Sequence, residues 1–321
     1  MKTQLLIIAA MSLVGTAGFA QGRGSSSSPA RSTRATKLVA QNVLPTSQQQ
    51  PSSAAGASTA SLATVAPAPE KKFTFTLMNY TSVNKESLQN NEAAPAGFNR
   101  IQGIYHLSAT KSIIAREDAG FSYDSKTKAS EFHVVDPFIG YTDTKFATLP
   151  MDWVITIQPR LYLPLGEKGR FVTKTLGSEA LLILADKSLG KFDFEFVGYF
   201  QYFNNTQDYA WDWSADSKAF VAKGNPDWSG FVEGEVAYNL TPKLSLIHDV
   251  YLTGDATRAT PVSAAKMVNK ITNETLISYQ FTKEFNLKAA VENNATLDSQ
   301  NAANFYQDKD ISYNLYLKLT L

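Results

Sequence analysis

Charged side chains recur at every second position in segments whose other positions are apolar. In one such segment Asp193 and Glu195 alternate with Phe192, Phe194 and Phe196. Successive side chains of a β-strand point to opposite faces, so this pattern predicts strands with one charged and one apolar face. The charged candidates on the polar faces are Arg100, Arg116, Asp118, Arg160, Asp193, Glu195, Glu233, Glu235, Asp249, Lys270, Glu274, Lys288, Glu292 and Lys318.

The chemistry open to this set is electrostatic selection. Six of the fourteen are basic and eight are acidic, a slight acidic excess. If the charged faces line a lumen, such residues set ion preference through their local potential. Glu233 and Glu235 are predicted to lie beside the strand of Asp249, where they would form an acidic constriction. The alternative is that opposite charges pair across a filled interior.

Twelve alternating segments follow one another from residue 71 to the end, with no comparable amphipathic helix between them. We place strands at 71–82, 98–109, 111–124, 128–142, 150–163, 170–185, 190–204, 228–240, 243–255, 266–281, 284–298 and 308–321. Most of the connections alternate between tight turns and longer polar segments, which is typical of a transmembrane antiparallel β-barrel. The prediction is an all-β barrel of about twelve strands, with ten or fourteen as alternatives.

The soluble alternative is a β-sandwich or jelly roll. Strands of soluble proteins average about 5–6 residues, whereas a tilted strand that crosses a membrane needs about 9–11. Several segments alternate for ten residues or more. Strands of this length would expose long edges in an open sheet, and a closed barrel removes those edges. The membrane barrel is therefore favoured.

The first seventy residues have a different composition. Lys2, an apolar run from Leu5 to Val14 and the small residues before Gln21 predict a signal peptide at 1–20. Residues 21–70 are rich in Ser, Ala, Gln and Pro and carry a net charge of +3, so we expect a disordered low-complexity segment. Residues 71–321 form the barrel, with a net charge of −3, and the chain has no Cys to form disulfides.

Two stretches spell the same hairpin: YNLTPKLSL at 238–246 and YQFTKEFNL at 279–287. In each stretch a tight turn separates a strand that carries an aromatic residue from an apolar strand that contains leucine. Aromatic rings settle at membrane–water boundaries, so we predict an interface girdle. The alternative, a sugar-stacking track, needs aromatic residues on the lumen face, where Tyr162, Tyr251 and Tyr316 fit. The girdle candidates are Trp153, Trp228, Tyr238, Tyr279, Phe281 and Phe285.

The chain resembles Gram-negative outer-membrane β-barrel proteins of the porin-like kind over about residues 71–321. The resemblance rests on the repeated hairpin, on VDPFIGYT followed by WVITIQPRLYLP, and on the last strand, YNLYLKLTL. It implies an outer-membrane location, with lipid around the barrel and the N-terminal segment in the periplasm. It also implies recognition of the C-terminal strand by the barrel-assembly machinery, although Leu321 replaces the usual terminal aromatic residue. Homo-oligomerisation is left open.

One motif raises an enzymatic alternative. Outer-membrane phospholipases are twelve-stranded barrels with a His-x-Ser pair, and His106-Leu107-Ser108 has that spacing. Ala109 and Thr110 follow it in place of the Asn-Gly of that family, and it sits beside a short turn. We therefore predict no enzyme activity. No spacing indicates a metal site, a cofactor or nucleic acid.

The sequence thus predicts an outer-membrane pore for passive diffusion of small solutes or ions. The second hypothesis is a non-conducting structural or surface-interaction barrel. About twelve strands leave a narrow interior, because eight are already filled by side chains and 16–18 leave an aqueous channel. The fold alone therefore does not decide between the two hypotheses.

Overall fold

The computed structural model describes residues 72–90, 95–124, 129–166, 175–214, 219–297 and 311–321. The predicted signal peptide and the low-complexity segment 21–70 lie outside the described residues. No helix in the described ranges is long and apolar enough to span a membrane.

The described chain consists almost entirely of antiparallel strands. The strands are β1 (Phe73–Asn84), β2 (Ala96–His106), β3 (Lys111–Asp124), β4 (Ala129–Val134), β5 (Phe138–Leu149), β6 (Trp153–Tyr162), β7 (Thr175–Leu189), β8 (Phe192–Asn205), β9 (Tyr209–Ser214), β10 (Ala219–Gly224), β11 (Pro226–Asn239), β12 (Leu244–Thr257), β13 (Lys266–Gln280), β14 (Phe285–Thr296) and β15 (Ile311–Thr320). A five-residue helix, α1 (Lys85–Gln89), follows β1, and a 3-10 turn (Pro150–Asp152) precedes β6.

Twelve of these strands close into a barrel. The order round the ring is β1-β2-β3-β5-β6-β7-β8-β11-β12-β13-β14-β15, and β15 pairs back onto β1. Tyr80 lies opposite Tyr316 in this closing pair. Phe75 and Leu321 exchange backbone hydrogen bonds of 3.1 and 2.8 Å. The predicted twelve-stranded antiparallel barrel is confirmed.

The prediction of a single fourth strand at 128–142 was wrong in its bounds. It is divided into β4, which pairs with the end of β3, and β5, which pairs with β3 nearer its start and with β6. Pro137 lies between the two parts, and proline has no N–H to donate to a strand pairing. β5 continues to Leu149, so the connection to β6 is a short turn in which Met151 adopts a left-handed backbone (φ 66°).

The wall of the barrel alternates between apolar exposed positions and buried positions, many of which are polar. On β2, Ile101 and Tyr105 are exposed, whereas Arg100 and Gln102 are buried. The same alternation places Leu315 outside and Asn314 inside on β15. An apolar exterior with a polar interior is the arrangement of a barrel surrounded by lipid.

Connections at the two ends of the barrel differ in length. At one end the strands are joined by the short turns 107–110, 150–152, 190–191, 240–243 and 281–284. The other end carries the longer connections, among them the segment that contains α1 and the hairpin formed by β9 and β10. That hairpin lies in the connection, 205–227, between the predicted strands 190–204 and 228–240. We call the two ends the short-turn rim and the long-loop rim.

Three of the short turns share one hydrogen-bonding device. The hydroxyl of Thr241 accepts hydrogen bonds from the N–H groups of Lys243 and Leu244 at 3.2 and 3.0 Å. Thr282 does the same for the N–H groups of Glu284 and Phe285. The hydroxyl of Ser108 accepts from residues 110 and 111. The repeated sequence hairpin is therefore a repeated turn in which a side chain satisfies two backbone donors.

We expect Thr241→Val to lower the free energy of unfolding by about 0.5–1.5 kcal/mol, because two N–H groups lose an acceptor of fixed geometry. Thr241→Ser retains the hydroxyl and should behave like the native chain. Urea unfolding of the detergent-folded protein, followed by tryptophan fluorescence, measures both variants. Equal stability of the Val and Ser variants would contradict this role for the hydroxyl.

Candidate functional site

All fourteen charged candidates lie on the interior side of the barrel wall, and each is buried or half-buried. Asp249, Glu274 and Glu292 are completely inaccessible, at 0% exposure. Charged groups are rarely buried in this way unless a partner compensates for them. The geometry of the interior therefore depends on how these charges are grouped.

Carboxylates form a continuous row across six neighbouring strands. Glu235 lies directly opposite Glu195 on one side and Asp249 on the other. Asp186, which sequence reasoning missed, extends the row at the short-turn rim. The acidic row consists of Asp186, Glu195, Glu235, Asp249, Glu274 and Glu292. Directly opposed residues of like charge destabilise a sheet, so this row needs compensation from donors, protons or cations.

The acidic row is compensated by hydrogen bonds at its end toward the long-loop rim. The amide of Asn314 donates to Glu274 and Glu292, both at 2.8 Å. The hydroxyl of Tyr316 donates to the same oxygen of Glu274 at 2.7 Å. The amide of Asn294 donates to Glu292 at 2.6 Å. These two glutamates are thus held in fixed positions by neutral side chains.

Nearer the short-turn rim, Glu233 joins Glu235 and Asp249 in a compact group. One carboxylate oxygen of each lies within 4.8 Å of the others. Oxygen ligands at such separations suit a hard cation such as Ca²⁺. Among the described residues, this is the one group whose geometry could hold a metal ion.

Arginines occupy the opposite wall. Arg100 donates to Asp118 through Nε at 2.7 Å and Nη2 at 3.0 Å. Arg116 donates to the same carboxylate at 2.6 Å from Nη2. Two guanidinium groups therefore share one carboxylate. We call Arg100, Arg116 and Arg160 the arginine cluster.

Aromatic rings hold the arginine cluster in place. The guanidinium carbons of Arg116 and Arg160 lie 4.9 and 4.8 Å from the centre of the Phe138 ring. Arg160 also lies 5.4 Å from the ring of Tyr199, and its Nε donates to Gln158 at 2.6 Å. Cation–π contacts of this kind strengthen when water is excluded.

The acidic row and the arginine cluster face each other across the barrel. Round the twelve-strand ring, β2 is opposite β11 and β3 is opposite β12, each six strands away. Arg100 and Arg116 lie six and five residues from the short-turn ends of β2 and β3. Glu233 and Asp249 lie six and five residues from the corresponding ends of β11 and β12. Opposite charges thus occupy opposite walls at one level of the barrel.

The remaining candidates are spread along the interior. Asp193 lies at the short-turn rim, where Ser188 and Asn239 donate hydrogen bonds to it. Lys318 shares a cross-strand row with Met78 and Arg100. Lys270 lies opposite Thr253, near the long-loop rim, and Lys288 lies opposite Tyr316.

The interior is narrow and largely occupied by side chains. Leu182, Phe231 and Tyr199 belong to one buried apolar cluster, with exposures of 0–1%. A second buried cluster contains Tyr80 and Tyr316, whose ring centres lie 4.9 Å apart. Polar groups therefore share the interior with apolar ones.

The six girdle candidates all occupy strand ends or turns. The ring centre of Phe281 lies 4.7 Å from that of Tyr279 and 5.3 Å from that of Phe285. The three rings form a small aromatic cluster at the short-turn rim. Tyr238 contacts Phe192 at this rim, and Trp153 contacts Phe196. Trp228 lies instead at the long-loop rim, 5.4 Å from Phe200.

The His106 and Ser108 side chains have separate structural partners. His106 Nε2 lies 2.9 Å from the hydroxyl of Thr74 on β1. Ser108 lies in the exposed turn, where its hydroxyl accepts the two backbone hydrogen bonds described above. The hydroxyl is therefore oriented by the turn and not by the imidazole.

A cavity of about 500 Å³ opens at the long-loop rim, between the base of the β9–β10 hairpin and the ends of β12 and β13. Arg258 lines this cavity and donates to Asp227 at 3.0 Å and to Asp208 at 3.1 Å. Burial lowers the pKa of Arg258, but the hydrogen bonds to Asp227 and Asp208 outweigh it and raise that pKa above its ordinary value. Arg258 thus fastens the hairpin to the barrel.

The fold is similar to that of a solved outer-membrane channel. The structure matches the COG4313 outer membrane channel from Pseudomonas putida F1 with a TM-score of 0.52 at 15% identity, covering 78% of this chain and 95% of that one. The chain has the fold of a porin-like outer-membrane β-barrel. The NanC porin matches over 77% of this chain and all (100%) of its own, with a TM-score of 0.42 at 10% identity, too low to carry an argument. No family model and no curated protein matches the sequence.

We expect Arg258→Ala to release the β9–β10 hairpin, because both of its ion pairs with Asp208 and Asp227 are lost. Chymotrypsin should then cleave after Trp211 and Phe220 several-fold faster, as measured by mass spectrometry of the folded protein. Lys266→Ala removes a cation from the same cavity and serves as the control. Unchanged cleavage in Arg258→Ala would show that the hairpin is held by other contacts.

Proposed function

We propose that this barrel is a narrow outer-membrane pore for passive diffusion of small solutes or ions. The observation that carries the proposal is the pair of oppositely charged interior walls at one level of a closed barrel whose exterior is apolar. The fold shared with a solved outer-membrane channel supports it.

The energetics of buried charge favour a conducting role over a structural one. Well-packed apolar residues in place of buried ionic groups are often neutral or stabilising, by about 1–4 kcal/mol. A barrel that served only as a scaffold would gain nothing from six aligned carboxylates. In a pore the same groups act on passing solutes through their local potential. Because the interior side chains are tightly packed, we expect low conductance that depends on side-chain movement.

The interior charges are proposed to give a mild preference for cations. Acidic residues outnumber basic ones, and the Glu233, Glu235 and Asp249 group concentrates negative potential at one point. The arginine cluster on the opposite wall limits this preference. Glu233 and Glu235 are therefore the residues proposed to contribute most to selectivity.

We expect Glu233→Gln combined with Glu235→Gln to shift the reversal potential in a KCl gradient toward anion preference, because two negative charges leave the constriction. Planar-bilayer recordings of the refolded full chain measure the shift. Glu179→Gln, on the exposed face of β7, removes one carboxylate outside the pore and is the control. Identical reversal potentials for the double variant and the native chain would contradict the proposed lining.

The second candidate is a non-conducting structural or surface-interaction barrel. Two features favour it: the interior residues that are fully buried, and the hairpin that exposes Trp211 at 60% and Phe220 at 66% beyond the rim. A correctly folded barrel that gives no current steps in bilayers would support this candidate over the pore.

The orientation of the barrel in the outer membrane is part of the same proposal. The short-turn rim would face the periplasm, together with the N-terminal segment 21–70, and the exterior residues would contact lipid. The six aromatic residues would mark the membrane boundaries, five at the short-turn rim and Trp228 at the other. The C-terminal strand β15 would be the segment that the barrel-assembly machinery binds.

A further inference from the structure

We infer that Arg100 and Lys318 form a subsite for an oxyanion, a carboxylate or phosphate group, inside the barrel. The inference rests on the proposed pore function, because the anion belongs to a solute that enters the interior. It adds a ligand-binding step to a function that otherwise depends only on diffusion.

Arg100 carries the first observation. Its side chain is 1% exposed, and Nε and Nη2 are both bonded to Asp118. Its third nitrogen, Nη1, is buried and has no acceptor within the described part of the chain. A buried donor of a charged group that lacks an acceptor is strongly unfavourable, and its presence indicates a partner that comes from outside the chain.

The nearby carboxylate is already engaged. Asp118 accepts hydrogen bonds from Arg116 as well as from Arg100. One carboxylate therefore accepts hydrogen bonds from two guanidinium groups and leaves Arg100 Nη1 without an acceptor. An oxyanion would supply that acceptor together with a compensating charge. The guanidinium edge also matches a carboxylate or phosphate geometrically, which a halide cannot reproduce.

Lys318 supplies the second cation of the subsite, and movement of the Met78 side chain would supply the space for the anion. Lys318 and Arg100 lie on the same cross-strand row, separated only by Met78 of β1. Met78 is 5% exposed, and its strand lies between theirs. Its unbranched thioether chain has three rotatable bonds and changes conformation easily. We expect the anion to displace this side chain and to contact Arg100 Nη1 and the Lys318 ammonium.

The rest of the interior directs the anion to this place. The guanidinium carbon of Arg100 lies 5.4 Å from the centre of the Phe98 ring, a cation–π contact that favours this orientation of the side chain. The acidic row on the opposite wall repels an oxyanion, so the anionic end of a solute is turned toward Arg100. The solute class is therefore a small molecule that bears a carboxylate or a phosphate.

Isothermal titration calorimetry with inorganic phosphate tests the inference on the refolded full chain in a non-ionic, phosphate-free detergent, which excludes lipid headgroups as the anion source. We expect saturable binding to the native chain. Arg100→Gln and Lys318→Gln should each raise the Kd about tenfold, the change that corresponds to one lost charge-assisted contact. Lys191→Gln, which removes a cation from the exposed β7–β8 turn, should leave the Kd unchanged.

The outcomes separate this inference from the pore proposal. Absence of phosphate binding to the native chain, or an unchanged Kd in the variants, would overturn the subsite whether or not the barrel conducts. Phosphate binding in a barrel that gives no current would overturn only the pore. Heat-modified migration on gels checks folding, and if Arg100→Gln does not fold, Lys318→Gln alone decides.

Discussion

The pairing of β15 with β1 is the contact on which the rest of the structure depends. Within lipid no water is present to satisfy backbone N–H and C=O groups, so a sheet can span a membrane only when its two edges meet. Here the edges meet from Thr76, opposite Thr320, to Asn84, opposite Ser312. Once the sheet is closed, the two-residue period of each strand divides all side chains into an interior and an exterior set. The apolar exterior and the charged interior are both consequences of that closure.

Closure also creates the electrostatic arrangement of the interior. Residues that face each other across the interior are far apart in sequence. Arg100 on β2, for example, lies opposite β11 only because of the order of the strands round the ring. Along the acidic row, by contrast, neighbouring strands align like charges: Glu235 has acidic neighbours on both sides. Repulsion along the acidic row and attraction across the barrel together give a potential that varies from wall to wall. In the proposed pore, this variation, and not the net charge, is the property that a passing solute would meet.

Much of the architecture could be predicted from the sequence because its signals are local. Alternation such as Phe192 to Phe196 specifies both the strand and its faces, and the turns at Thr241 and Thr282 fix the register of their own hairpins. The sequence predicted that Glu235 lies beside the strand of Asp249, but it could not predict the whole acidic row, which depends on the registers of five successive strand pairs. Asp186 was missed since it lies close to a turn. The unpartnered nitrogen of Arg100 depends on side-chain geometry, which no sequence pattern reveals.

The central claim is that solvent and solutes reach the charged interior while the exterior remains in lipid. The absence of native Cys allows a direct test by single-cysteine labelling. Glu235→Cys places a thiol inside the barrel and Val236→Cys places one on the exposed face. In lipid vesicles, a membrane-impermeant cationic thiol reagent should modify Glu235→Cys rapidly and reduce its bilayer current, while Val236→Cys remains unmodified. Equal protection of both positions in the folded barrel would contradict a solute-accessible interior.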